Sequence, residues 1–195
     1  MKKSFAIASV VAALMATSAW AATPAAQEVT QRDINQQDRI EQGLQSGQLN
    51  THEAGKLEKD ESRVDKMEAH DLKNGALTPK ETAQINRAQN RVSNQIYQDK
   101  HNAAVGNPNS ASSERMQKDV QRNVNQESRI KQGEASGTLN NREAGSLERG
   151  QAHVDRREGN AAANGHVSAA EQRGIQRSEN RQSRRVFRKK HNGVG

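Results

Sequence analysis

The chain has 195 residues and a formal net charge of +7, and only 31% of its residues are hydrophobic and 2% aromatic. It contains no cysteine, which excludes disulfide scaffolds, thiol catalysis and zinc–thiolate sites. Such a chain buries little apolar surface and approaches the composition of disordered proteins. Any fold must therefore come from the pattern of the residues.

The N-terminal segment has the order of a secretory signal peptide. The positive start Met1-Lys-Lys is followed by an apolar run over 5–15, and Ala19 and Ala21 flank Trp20 as in a cleavage site. The apolar run is shorter than the roughly 20 residues that a membrane span requires. We expect residues 1–21 to be removed and the rest to enter a bacterial periplasm without a transmembrane segment.

The remainder of the chain is a tandem duplication. A shift of ninety residues aligns 31–40 with 121–130, and 46–50 with 136–140, without a gap. Between the two copies lies a segment rich in Gly, Pro, Asn and Ser, the chemistry of a linker. The predicted organisation is a signal peptide (1–21), a first repeat (22–102), a linker (103–113) and a second repeat with a basic C-terminal helix (114–195).

Four similar turns divide the repeats into helices. Each reads small polar, Gly, any residue, aliphatic, then Asn, Thr or Ser, and Glu three residues later; they begin at Ser46, Asn74, Ser136 and Asn164. The Gly allows the positive φ that ends a helix. The polar residue and the Glu form a capping box that starts the next one, and the aliphatic residue can anchor the turn. The prediction is an all-α tandem duplication of an up-down-up three-helix unit, with helices at 27–45, 51–73, 79–101, 114–135, 141–160 and 169–191.

The apolar faces of these helices are thin, and those of the second repeat are thinner. Large apolar residues of the first repeat are replaced in the second by Glu134, Arg157, Ala162 and Gln182. At about 2 kcal/mol for each buried side chain, the loss is roughly 8 kcal/mol. We expect the second repeat to need its neighbour, a second copy in a homo-oligomer, or a partner in order to stay folded.

The turns resemble EF-hand loops over four twelve-residue segments. In the first, Gly47 stands at the sharp turn and Glu53 at the final position. The resemblance implies calcium binding, which needs carboxylates at the first, third and fifth positions. Those positions hold Gln42, Leu44 and Ser46, and only one of the twelve such positions in the four loops is acidic. We therefore expect the turns to cap helices and not to bind calcium.

Two further resemblances concern the same turns. Leu77-Thr-Pro-Lys-Glu81 resembles the Leu-Thr-x-x-Gln motif of small periplasmic helical proteins that act as chaperones or metal-stress sensors. The turns are also similar to the Ser-Gly-x-Leu-Thr-x-x-Glu turns of a proteobacterial exported helical-repeat family, which implies no particular activity.

Motifs for catalysis or metal binding are absent from the sequence. No pair of histidines has the i, i+4 spacing of a helical metal site, and only His101 and His191 recur between the repeats, each at a predicted helix end. We expect these two to interact with the last carbonyls of their helices. The carboxylates interleave with Lys and Arg, as on solvated helix faces. The sequence predicts no enzyme, no cofactor and no metal site, with a divalent-metal binder or sensor that uses the turns or histidines as the alternative.

The positive charge is concentrated in the second repeat. Residues 27–105 contain 11 basic and 13 acidic side chains, whereas 117–195 contain 16 and 9. Five arginines of the last helix fall within an arc of about 80° at 100° per residue, and we predict that they bind an anionic partner: Arg173, Arg177, Arg181, Arg184 and Arg188.

The predicted function follows from this charge and from the export signal. An anionic envelope surface or an acidic protein suits the arginines, whereas nucleic acid is the least favoured partner of a chain with so few aromatic residues for base stacking. The sequence predicts an exported, periplasmic, non-catalytic binding or stress-response accessory protein.

Overall fold

The computed structural model describes residues 22–192, and the predicted signal peptide lies outside them. This part of the chain contains six α-helices and no strand, so the all-α prediction is confirmed: α1 (Pro24–Ser46), α2 (Thr51–Asp71), α3 (Pro79–Lys100), α4 (Ala111–Ser136), α5 (Asn141–Ala161) and α6 (Ala169–Lys190). None of the helices in 22–192 combines the length and the apolar character that crossing a bilayer requires.

The helix boundaries follow the predicted capping chemistry. In the turn between α1 and α2, Gly47 has a φ of 75° and Asn50 accepts a hydrogen bond from the backbone N–H of Glu53, whose carboxylate accepts one from the N–H of Asn50. Three further helices begin with the same reciprocal box, at Thr78, Asn140 and Ser168. The aliphatic residues of the four turns are buried as predicted: Leu49, Leu77, Leu139 and Val167.

Two helices begin earlier than predicted. α1 starts at Pro24, because proline is tolerated in the first turn of a helix. α4 starts at Ala111, after Ser110 accepts a hydrogen bond from the N–H of Ser113. Both helices are thereby lengthened at their N-terminal ends.

The closest helix contacts join the two repeats. α2 and α5 lie antiparallel, as the contacts at their two ends show. Gly55 near the start of α2 meets Ala162 just beyond α5, and Gly145 near the start of α5 meets Leu72 just beyond α2. At the middle of this crossing, the Ser62 hydroxyl donates to the carbonyl of Ala152, 2.8 Å away. Ser62 and Ala152 occupy equivalent positions of the two repeats, so a pseudo-two-fold axis passes between them.

α1 and α4 form the second antiparallel pair between the repeats. The Thr30 hydroxyl near the start of α1 donates to Glu134 near the end of α4, at 3.1 Å. α1, α2, α4 and α5 therefore form a central four-helix layer, and α3 and α6 each pack on the outside of their own repeat.

The hydrophobic core is shared by the repeats. The larger cluster joins side chains of α1, α2 and α3 to Met116, Val120, Ala144 and Ile175 of the second repeat. A smaller cluster comprises Ile130, Leu139, Leu147 and Val186. The weak apolar content of the second repeat is thus supplemented by its neighbour in the same chain.

Candidate functional sites: an arginine groove and a carboxylate core

The five arginines predicted on α6 are all exposed, but they do not form one surface. Arg177 and Arg181 face α5, whereas Arg184 and Arg188 lie on the other side, beside Arg129 of α4 and the exposed ring of Phe187. Arg173 lies one helical turn before Arg177.

Arginines of α5 and α6 converge on one open groove. A cavity of about 670 Å³ is lined by His153, Arg156, Arg157 and Arg177, and it continues along the helices past Arg181. We call these five residues the arginine groove. The two α5 arginines were not among the predicted site residues; the adjacent pair is visible in the sequence, but its approach to α6 is not.

Within residues 22–192, no acidic side chain forms an ion pair with the arginine groove, and one acidic side chain borders it. The ion pairs found within residues 22–192 use other basic residues: Arg63, His70, Arg122 and Lys189. Glu171 borders the groove, and its carboxylate accepts hydrogen bonds from the N–H and the hydroxyl of Ser168, which lower its pKa and so favour its ionised form. Further along, Arg185 donates to the Ser146 carbonyl at 2.9 Å, and burial together with Arg188 and Arg149 lowers the pKa of its guanidinium.

The first repeat has basic side chains at four of the five equivalent positions, which are Arg63, Lys66, Arg87 and Arg91, but it also has Asp60 and Asp71 where the second repeat has Gly150 and Ala161. A groove there is lined by Lys56, Lys59, Asp60, Arg63, Gln95 and Asp99, and Arg63 pairs with Asp60. In the second repeat, the positions of Asp60, Gln95 and Asp99 hold Gly150, Arg185 and Lys189. At these three positions the second repeat thus has two acidic side chains fewer and two basic ones more than the first.

The carboxylates, by contrast, contradict the sequence interpretation. The prediction that they lie on solvated helix faces is wrong for twelve of them, which are at most 3% exposed. We call this set the carboxylate core: Asp33, Glu58, Glu61, Asp65, Glu68, Asp119, Glu127, Glu134, Glu148, Asp155, Glu158 and Glu179. Most of them lie on the faces where the two repeats meet.

The carboxylate core has a signal in the sequence, although burial was not predicted from it. Acidic residues of α2 stand at 58, 61, 65 and 68, which is one helical face, and the equivalent positions of α5 hold Glu148, Gln151, Asp155 and Glu158. Because a buried and a solvated helix face share this spacing, the pattern alone does not reveal burial. What distinguishes this acidic pattern is that it occurs at equivalent positions of both repeats.

Burial makes ionisation of these groups costly. Desolvation raises the pKa of Asp33 to about 7, that of Glu58 to about 7 and that of Asp119 to about 8. Desolvation and then the neighbouring carboxylates raise the pKa of Glu61 and that of Glu148 well above the ordinary value. Amides provide part of the compensation, as Gln37 donates to Glu58 at 3.0 Å and Asn123 to Glu158 at 2.8 Å.

Few basic side chains are placed to neutralise the carboxylate core. No Lys, Arg or His of residues 22–192 is buried, and one partly exposed guanidinium, that of Arg122, reaches a core carboxylate, Glu179, at 3.1 Å. The core must therefore be neutralised by protons or by bound cations.

The sequence offered the turns and the histidines as alternative metal sites. The turn glutamates cap helices, and Glu53 also accepts a hydrogen bond from the Asn102 amide at 2.8 Å. His101 and His191 bond the carbonyls of Tyr97 and Phe187, each at 2.7 Å, which confirms their predicted role at helix ends. The groups that could hold a metal ion, within the described residues, consist of core carboxylates.

No protein-family model, curated protein or solved structure matches the chain. The arginine groove and the carboxylate core are therefore the features that bear on its function.

Proposed function

We propose that the protein is an exported, periplasmic, non-catalytic binding or stress-response accessory whose arginine groove takes an anionic partner at the cell envelope. The observation that carries the proposal is the set of arginines gathered from two helices of the second repeat without an ion-paired acidic partner among the described residues, whereas in the first repeat Asp60 and Asp71 pair with Arg63 and His70. Because the two repeats have equivalent helices, the first repeat is an internal reference for the charges of the second.

The chemistry of the groove suits phosphate. A guanidinium offers a planar set of donors that matches phosphate oxygens in pairs, and it remains charged at physiological pH. Arg156, Arg157 and Arg177 approach the same cavity, so a phosphate bound there contacts two helices at once. Anionic lipid headgroups at the envelope surface carry this group.

Association with such a surface is expected to be electrostatic. The large apolar side chains exposed among residues 22–192 are Tyr97, Val105 and Phe187, and they do not form a face that could insert into a bilayer. Each basic side chain near an anionic surface contributes about 1 kcal/mol. The attraction fades over about 8 Å at physiological salt, so binding should weaken steeply as salt rises.

Matched arginine substitutions test the proposal. Arg177→Gln with Arg181→Gln should reduce binding to vesicles of anionic phospholipid at least tenfold in a sedimentation assay, because it removes two of the groove's charges. The control is Arg87→Gln with Arg91→Gln, at the equivalent positions of the first repeat, which should bind like the wild type. Equal losses of binding from both variants would show that only net charge matters. If the protein bound an acidic protein but not the vesicles, the partner would be an acidic protein and not a lipid.

Export has a separate test. We expect the periplasmic protein to begin at Ala22, because Ala19 and Ala21 fit the cleavage pattern. Mass spectrometry of a periplasmic extract measures the N-terminus directly. Recovery of the chain in the cytoplasm with Met1 in place would contradict export.

A further inference from the structure

Two groups of core carboxylates bring their oxygens together. Glu58, Asp155 and Glu158 each offer one carboxylate oxygen, and these oxygens all lie within 4.8 Å of one another. We call this group triad A. Asp65, Glu127 and Glu148 do the same, and we call them triad B. Oxygen ligands at about 2.3 to 2.6 Å from one ion lie within about 5 Å of each other, so each triad has the dimensions of a cation site.

Every triad carboxylate has at least one buried oxygen without a hydrogen-bond partner. Glu148 is fully buried and neither of its carboxylate oxygens accepts a hydrogen bond. Glu58, Asp155 and Glu158 of triad A, and Asp65 and Glu127 of triad B, each have one buried oxygen without a partner. A buried carboxylate without a donor is costly. A cation bound between the carboxylates would give these oxygens the partner that they lack.

Two amide side chains contact triad A. Gln37 and Asn123 donate their amide N–H groups to Glu58 and Glu158, at 3.0 and 2.8 Å, while their amide oxygens are buried and unpartnered. Triad B has a carboxylate instead, because Glu127 occupies the position equivalent to Gln37. Each triad thus has three carboxylates, which triad A takes from α2 and α5 and triad B takes from α2, α4 and α5.

The two triads are adjacent. Asp65 of triad B and Asp155 of triad A occupy equivalent positions of α2 and α5, and their carboxyl groups lie within hydrogen-bonding reach of each other. The two triads therefore meet at Asp65 and Asp155, and no Lys, Arg or His of residues 22–192 is buried with them.

We propose that each triad binds one hard divalent cation of the Ca²⁺ or Mn²⁺ type between α2 and α5. The ligand set consists of oxygen atoms only, which selects hard cations over Zn²⁺ or Cu²⁺, for which imidazole and thiolate are the better ligands. Mg²⁺ fits less well, because it retains several waters and the triads are fully buried. This site is distinct from the turns that resemble EF-hands, whose glutamates cap helices.

The bound cations would join the repeats. Triad A takes Glu58 from the first repeat and Asp155 and Glu158 from the second, and triad B takes Asp65 from the first and Glu127 and Glu148 from the second. A cation at either place therefore holds α2 against α5, and its binding free energy contributes to the stability of the folded chain.

The experiment is a cation titration of the purified full chain after chelator treatment, at pH 7.5. Isothermal calorimetry should find two Ca²⁺ or Mn²⁺ ions for each chain, and either cation should raise the melting temperature. Glu127→Gln with Glu148→Gln should leave one ion, as should Glu58→Gln with Glu158→Gln. These variants remove buried charge without changing shape, so they should melt no lower than the wild type without cations, which separates ligand loss from misfolding.

The matched control is Glu61→Gln. Glu61 is 1% exposed and both its oxygens lack partners, but it belongs to neither triad, so this variant should still bind two ions. Neutralisation by protons alone would appear as no heat and no melting shift with any cation, which would overturn the proposal. So would loss of binding in Glu61→Gln equal to that in the triad variants, because the site would then be diffuse negative charge.

Discussion

Without cations, the protein should be most stable in mildly acidic solution and should lose melting temperature as the pH rises from 5 to 8. The native carboxyls have a pKa raised to about 7 at Asp33 and Glu134, against ordinary values near 4 in the unfolded chain. Between these values the unfolded state releases protons that the native state keeps, so the free energy of unfolding falls as pH rises. Above pH 8 the penalty continues to grow, because the pKa of Asp119 is raised to about 8.

Glu134 sets the scale of the effect. It is fully buried, and desolvation raises its pKa from 4.5 to about 7 even though a hydrogen bond from Thr30 lowers it. That shift corresponds to about 3 kcal/mol at pH 8, or about 6 to 12 °C in the melting temperature of a chain of this size. The remaining core carboxyls titrate in interaction with one another, so their contributions do not simply add.

The first repeat supplies the control for this prediction. Glu134→Leu introduces the residue that the first repeat has as Leu44, and the Thr30 hydroxyl keeps the Ala26 carbonyl as acceptor at 3.2 Å. The variant should melt higher than the wild type at pH 8 and only slightly differently at pH 4, when measured by circular dichroism in chelator. A wild-type melting temperature that increases from pH 5 to 8 would mean that the core carboxylates are stabilised as ions.

Gly55→Ala should destabilise the protein by about 1 to 3 kcal/mol, or roughly 3 to 10 °C, because it adds volume where α2 and α5 touch. A Cβ at Gly55 would lie 2.4 Å from the Cβ of Ala162. Neither atom can move by a change of rotamer, so the two helices must separate. The separation would also widen the space between the two sides of triad A.

Gly174→Ala is the control for the helix glycine. Its Cβ would meet the Arg157 guanidinium at 3.4 Å, and that flexible side chain can move. Alanine favours a helix over glycine by about 1 kcal/mol, so this variant should melt slightly higher than the wild type. If both glycine variants melted alike in thermal unfolding, the close approach of α2 and α5 would not contribute to stability.

Most of the local structure is predictable from short sequence patterns. The αL glycine at Gly47, the capping box of Asn50 and Glu53, and the buried Leu49 depend on contacts within a few residues, so the turn between α1 and α2 can be derived before any tertiary structure is known. The exposed arginines of α6 follow in the same way, since helical periodicity places Arg177 and Arg181 on one side of the helix.

The arginine groove was predicted only in part. The α6 side of the groove follows from the spacing of the arginines, but the α5 side does not, because Arg156 and Arg157 join the site only through the packing of α5 on α6. The division of the predicted stripe, with Arg184 turned towards Arg129 of α4, likewise depends on where the neighbouring helices lie.

The sequence by itself determined the helices, their ends and the uneven charge of the two repeats, because helix periodicity and capping are local. Only the tertiary structure decided that the repeats pack face to face and that the acidic faces of α2 and α5 become the interior. A face with carboxylates at i, i+3 and i+7 is compatible with water or with a partner helix. Its environment is set by the glycines at 55 and 145, which let the two helices approach until Glu58 of one repeat meets Glu158 of the other and water is excluded.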